Sequence, residues 1–183
     1  MNELCAIALE AIRRRLAQEP DRAPALTSTL AEPGAAFVTL ERDERLLGCV
    51  GSLEAVRPLG ADVARHAVAA AFADPRVPPI TVADYEQMSC KVAVLSPMTP
   101  LAVDSFAALT RALRPNVDGL VVASGKQRAT FLPSVWAKVP DIAAFLDELW
   151  RKAALVSGTW PTGIQCSTYT TDEYAAAGPR PFR

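Results

Sequence analysis

The sequence predicts an α+β fold in which duplicated ββαβ-type halves share a mostly antiparallel sheet flanked by helices. Two observations carry that expectation. The order strand, strand, helix, strand occurs twice, over about 35–100 and about 115–174. Short turns join the paired strands, so neighbours meet directly as antiparallel hairpins, whereas parallel pairing needs long crossovers. A third observation sets the size: 183 residues, half of them hydrophobic and 21% charged, are enough for one domain, 1–183, with a substantial core.

The first helix is expected at about 2–18, where Leu4, Cys5, Ala8, Leu9, Ile12 and Leu16 form an apolar stripe opposite Arg13, Arg14 and Arg15. Pro20 ends it, and a polar link follows over 20–34. Strands at 35–41 and 45–50 make a hairpin about Arg42-Asp43-Glu44. Pro58 and Gly60 precede a helix at 61–73, which Asp74-Pro75 terminates because the residue before a proline is driven out of the helical region. Met88, Cys90, Val92 and Val94 alternate along a strand at 88–96.

The second half follows a helix at 104–113 that Asp104 is expected to cap. Strands at 118–123 and 128–132 turn at Ser124-Gly125-Lys126. A helix at 141–154 starts from Asp141 as its cap and buries Phe145, Leu146, Leu149, Trp150 and Ala153. The last strand spans 164–170, and the tail, 175–183, is expected to fray from Gly178.

Composition excludes several classes of function. A formal charge of −1 leaves no basic excess to displace counterions from a polyphosphate, so general nucleic-acid binding is disfavoured. No run approaches the roughly 18 consecutive apolar residues of a membrane span, and Met1-Asn2-Glu3-Leu4 does not open like a signal peptide, so the expected location is cytoplasmic. Cys5, Cys49, Cys90 and Cys166 lie too far apart for CxxC-type ligand spacing, and His66 is the single histidine, so no metal site is expected. Dinucleotide and phosphate loops, the GxSxG elbow and HExxH are all missing, and no cofactor is evident.

The segment LLGCVG at 46–51 is the chemically pointed one, because Gly48 and Gly51 allow backbone to approach a ligand beside Cys49. Cys49 is either a working thiol, activated by a cation such as Arg57 or Arg76, or a close-packed or ligand-contacting residue. Asp74 and Arg76 either present a cation to an anionic ligand or pin their own loop. Glu54 and Arg57, three residues apart after the second strand, either pair or line the same pocket. Together these define an expected cleft between 46–57 and 74–79, with Cys49 at its floor and Arg57 or Arg76 at its rim. Cys5, Cys90 and Cys166 read as buried small hydrophobes, His66 as a satisfied helix residue, and Trp136, Trp150 and Trp160 as core or interface anchors.

Four collinear blocks, LLGCVGSLEAVRPL, DPRVPPIT at 74–81, VLSP at 94–97 and RATFLPSVW at 128–136 with the FLDELWRKAAL that follows, resemble the AMMECR-domain family, called AmmeMemoRadiSam system protein A in bacteria. The resemblance runs over about residues 4–174. It implies an α+β domain with a duplicated half and, as partners, a radical SAM enzyme and a Memo-like protein. The family's hallmark has the form LRGCIG. Leu46, Gly48, Cys49 and Gly51 match it, but Leu47 stands in place of the family's arginine, and Val77 stands where an aromatic is usual. If that arginine grips an anion, this chain either takes another ligand or compensates through Arg45 or Arg57; otherwise the arginine was structural.

Two function classes remain. One is a small-molecule-binding or accessory component of a modification system, with a cleft around Cys49 and with radical chemistry supplied by the partner, since the chain lacks clustered cysteines. The other is a non-catalytic adaptor acting through protein–protein contacts.

Overall fold

The computed structural model of the chain describes residues 2–20 and 22–182. In chain order the first elements are α1 (Glu3–Leu16), α2 (Ser28–Ala31), β1 (Pro33–Gly34), β2 (Ala36–Arg42), β3 (Arg45–Gly51), β4 (Arg57–Pro58) and α3 (Leu59–Phe72). Next come α4 (Val82–Gln87), β5 (Ser89–Leu95), β6 (Thr99–Leu101), α5 (Phe106–Ala112), β7 (Gly119–Ser124) and β8 (Gln127–Phe131). A 3-10 turn at Pro133–Ala137, α6 (Ile142–Lys152), β9 (Gln165–Tyr169) and β10 (Thr171–Ala176) complete the fold. The chain divides into two compact units, one comprising the residues up to Leu95 and those from Asp172 onward, the other Ser96–Thr171.

In the first unit the sheet order is β10-β5-β2-β3. Its inward face, including Val38, Leu40, Cys90 and Val92, is covered by the apolar stripe of α1 and by Val63, Ala67, Ala70 and Ala71 of α3. Helix α1 is stabilised at both ends: the Asn2 side chain accepts from the Leu4 N–H, Glu3 lies in the first turn, and Arg13, Arg14 and Arg15 face the negative end of the helix dipole. Beyond the sheet, β1 and β4 pair as a two-stranded ribbon that leads into α3.

In the second unit the order is β6-β9-β7-β8. Trp136 stacks on Phe145 with centroids 3.7 Å apart, and Leu109, Leu149 and Trp150 complete a fully buried centre. Trp160 packs against Phe106 and Trp150 at the edge of that core. Cys166 is buried there, as Cys5 and Cys90 are in the first unit.

The antiparallel sheets and flanking helices are as expected, and in each unit the first hairpin strand pairs with the strand that follows the helix: β2 with β5, β7 with β9. The single shared sheet and single core are corrected. Among the described residues, the strands other than the β1–β4 ribbon form two separate four-stranded sheets over two cores. Within each unit β2 and β7 are flanked on both sides, and the outer sides of β5 and β9 are taken by β10 and β6, so neither hairpin meets the other through its central strands.

Smaller corrections have local causes. Helix α3 begins at Leu59, directly after Pro58. Ser105, not Asp104, caps α5 by accepting the Ala108 N–H, while Asp104 accepts the Ser105 hydroxyl. Asp141 caps α6 as expected, at 2.8 Å from the Ala144 N–H. The described part of the tail, up to Phe182, is docked rather than frayed: the Arg180 N–H donates to Glu86 O, its guanidinium donates to Tyr85 O, and Phe182 packs edge-on against the Tyr85 ring. Among the described residues no helix is long and apolar enough to cross a membrane.

Candidate functional site

Strand β3 lies at the edge of the first unit's sheet and carries the Gly-Cys segment. The pairing of β2 with β3 slips between Leu40 and Glu41, so Gly48 faces Leu40 while Leu46 faces Glu41. Leu47 is the extra residue of that bulge. The kink turns its side chain into the core, where Leu47 is 4% exposed. The position where the resemblance calls for arginine is thus filled here by a buried hydrophobe.

The two glycines are packing residues. A Cβ on Gly48 would lie 1.9 Å from the Ala70 carbonyl oxygen, so β3 and α3 meet backbone to backbone there. A Cβ on Gly51 would lie 2.3 Å from Phe37 Cγ.

Between them, Cys49 is held on three sides. Its N–H donates to Asp74 Oδ2 at 2.9 Å, and its carbonyl accepts from Arg76 Nη2 at 2.9 Å. Its Sγ accepts from the hydroxyl of Thr39, the residue directly opposite on β2, at 3.2 Å. The thiol is half-buried. Asp74 in turn binds Arg76 through Nε at 2.9 Å, Nη2 at 2.6 Å and the backbone N–H at 3.1 Å. The loop after α3 therefore closes the free edge of β3, a way of protecting an edge strand from unwanted pairing. The Arg76 guanidinium beside Asp74 holds its carboxyl well below the usual carboxylate range against the opposing effect of burial, and the Cys49 N–H adds to this. Asp74 raises Arg76 correspondingly.

Arg57 does not join this group. It pairs with Asp62 at 2.9 Å, and Asp62, with no exposed surface, also accepts from the Ala36 N–H and the Ser52 hydroxyl, both at 3.2 Å. Nδ1 of His66 lies 3.1 Å from the same carboxylate. Burial pushes Asp62 up, but His66, Arg57 and the Ala36 N–H together outweigh it and hold the carboxyl low. The candidates thus fall into two clusters, Cys49–Asp74–Arg76 and Arg57–Asp62–His66, while Glu54 is exposed in the turn after Ser52. Thr39, Ser52 and Asp62 were not singled out by sequence. The usable signal was Asp62 and His66, four apart on the otherwise apolar face of α3 that carries Val63, Ala67 and Ala70.

A groove of about 220 Å³ opens beside the first cluster, lined by 45–47, 77–80 and Asp84. It contains Leu47 and Val77, the two positions that depart from the resemblance; Cys49 lies two residues further along β3. A larger groove, about 540 Å³, runs along α1 and the link at 22–25 and shares none of the candidate residues. Among the described residues no three His, Cys, Asp or Glu side chains cluster so as to hold a metal ion.

The AMMECR1 family model matches residues 5–174. A protein of Methanothermobacter thermautotrophicus is 41% identical over 122 residues, covering 65% of this chain and 62% of its own length. One from Sulfolobus acidocaldarius is 37% identical over 137 residues, covering 72% of this chain and 60% of that protein. The chain thus spans about three-fifths of these relatives' length. Among solved structures, the uncharacterized protein PH0010 of Pyrococcus horikoshii superposes with a TM-score of 0.88 at 26% identity, covering 96% of this chain and 91% of that one.

Proposed function

The chain belongs to the AMMECR1 family, and from that premise we propose that it is a small-molecule-binding, accessory component of a cytoplasmic modification system in which a radical SAM enzyme and a Memo-like protein supply the chemistry, with the surface around Cys49 as its contact site. The observation that carries this reading is the three-sided hold on Cys49: N–H to Asp74, carbonyl to Arg76, thiol to Thr39. A backbone fixed at both polar groups presents its side chain at low entropic cost, which is what a binding residue needs. General-base chemistry is less well served. The hydrogen-bond partner of the thiol is a hydroxyl, and the nearby Asp74 carboxylate is engaged by Arg76 and the Cys49 N–H.

The test is mass spectrometry of small molecules retained by the purified full-length chain, alone and co-purified with the two partner proteins. Cys49→Ser that folds normally and loses the retained molecule supports the reading. Identical retention by Cys49→Ser and Arg76→Gln, with partner binding intact, replaces it with the adaptor reading.

A further inference from the structure

The groove beside β3 combines apolar walls with one uncommitted charge. Leu46, Val77, Pro78, Pro79 and Ile80 supply aliphatic surface, and the two consecutive prolines stiffen one wall, so the groove is largely formed before anything enters it. Two charged side chains also line it. Asp84 accepts from the Thr81 N–H at 3.0 Å, the Thr81 hydroxyl at 2.8 Å and Arg42 at 3.3 Å, so its charge is already answered. Arg45 has no ion pair or side-chain hydrogen bond among the described residues.

We propose that this groove binds a small aliphatic monocarboxylate, its hydrocarbon body against Leu46, Val77 and the prolines and its carboxylate on the Arg45 guanidinium. This names the ligand class of the binding role proposed above and rests on that reading. At about 220 Å³ the groove is smaller than the roughly 300–1,000 Å³ of pockets that take drug-sized ligands. The guanidinium fork matches a planar carboxylate in two parallel hydrogen bonds. A doubly charged phosphate would have one free cation for its two charges, and an amine would meet Arg45 as a like charge.

The experiment titrates the full-length protein, isotope-labelled at Leu, Val and Ile methyl groups, with isocaproate, isohexanol and isohexylamine. Isocaproate should give saturable shifts at the methyls of Leu46, Leu47, Val77 and Ile80, binding about tenfold tighter than the alcohol, with the amine weakest. Arg45→Gln, at an exposed position, should bring isocaproate down to the level of the alcohol and leave the alcohol unchanged. Val77→Phe should fill the groove and abolish both, and unshifted methyls of Val38, Leu40, Leu120 and Leu149, away from the groove, verify folding in each variant. Absence of saturable shifts, shifts confined to other regions, or a carboxylate preference that survives Arg45→Gln overturns the proposal. If the titration fails while Cys49→Ser still loses its retained molecule, the groove is discarded and the binding role stands. If isocaproate binds as described while Cys49→Ser retains everything, the groove is a site and the role assigned to Cys49 falls.

Discussion

The hairpins β2–β3 and β7–β8 hold the same place in their two sheets, yet they are secured by different physics. In the first, the edge strand carries Gly48 and Cys49 and is closed by a carboxylate–arginine pair from the loop after α3. In the second, the edge strand carries Ala129 and Phe131; Phe131 packs edge-on against Phe145, and Lys152 donates to the Thr130 carbonyl and sits 5.1 Å over the Phe131 ring. One hairpin is clamped by charge at a backbone crossing too narrow for a side chain; the other is filled by aromatic volume. The first leaves a thiol half-buried on a rigid strand, and so the candidate site lies there.

The largest effect should come from the narrow crossing. Gly48→Val drives a side chain into the Ala70 carbonyl, which is backbone and cannot swing aside. We expect a loss of about 3 kcal/mol or more, at the upper end of overpacking costs. Ala129→Gly at the same stage of the other hairpin should cost about 1 kcal/mol or less, from lost apolar burial and added chain entropy. Urea denaturation of both variants measures the contrast, and equal losses would mean that the two edges are built alike.

The order ββαβ was legible because hairpin turns and the switch from period 2 to period 3.6 are local signals. Whether the strands close into one sheet or two is decided by the outer neighbours of β5 and β9, namely β10 and β6, and short strands such as Thr99–Leu101 carry no alternation long enough to read. Helix α4 was missed although Thr81 and Asp84 spell a capping box, since its six residues hold no apolar stripe. At the site, Asp74 and Arg76 were found through their dense Asp-Pro-Arg segment. Asp62 was not: inside a helix it looked like one polar residue among alanines, and only the fold brings Ala36, Ser52 and Arg57 to it.

Acid should separate the hairpins next. Asp62 and Asp74 are held below the ordinary carboxylate value in the folded chain. A carboxyl depressed in this way contributes stability that is present above its unfolded value near 4, and the contribution is lost as the pH falls below that value toward the folded one. Stability should therefore be level from about pH 7 to 5 and drop below about pH 4. Amide protection in β3, corrected for intrinsic exchange, should fall before that in β8. Simultaneous loss would show that the charged clamp does not set the weak point.

Asp74→Asn takes one carboxylate out of that sum. The amide keeps the shape but offers a donor where Arg76 and the Cys49 N–H need an acceptor, so we expect a cost of about 1–3 kcal/mol at neutral pH together with a flatter acid limb. The comparable change in the other hairpin, Lys152→Met, removes an exposed ammonium and should cost less than about 1 kcal/mol. Chemical denaturation at pH 7 ranks the two, and a larger loss for Lys152→Met would reverse the comparison.

The smallest expected change in stability is also the sharpest probe of the thiol. Thr39→Val keeps the β-branched shape on β2 and removes only the hydroxyl that donates to Cys49 Sγ. The sulfur is a weak acceptor and the site is half-open to water, so stability should move by about 0.5 kcal/mol or less. Reactivity should move more. The hydroxyl donates to the sulfur and fixes its position on the strand, so its removal should change the rate at which Cys49 is alkylated at fixed pH. Cys5, Cys90 and Cys166 are buried, and burial raises Cys166 to about 11, so in the folded chain Cys49 should react first of the four. Peptide-resolved alkylation of the Thr39→Val variant and of the parent chain, compared at one pH, reads both effects. An unchanged Cys49 rate would mean that Thr39 only fills space, leaving the Asp74–Arg76 clamp and the narrow crossing at Gly48 to distinguish this strand from its counterpart in the second sheet.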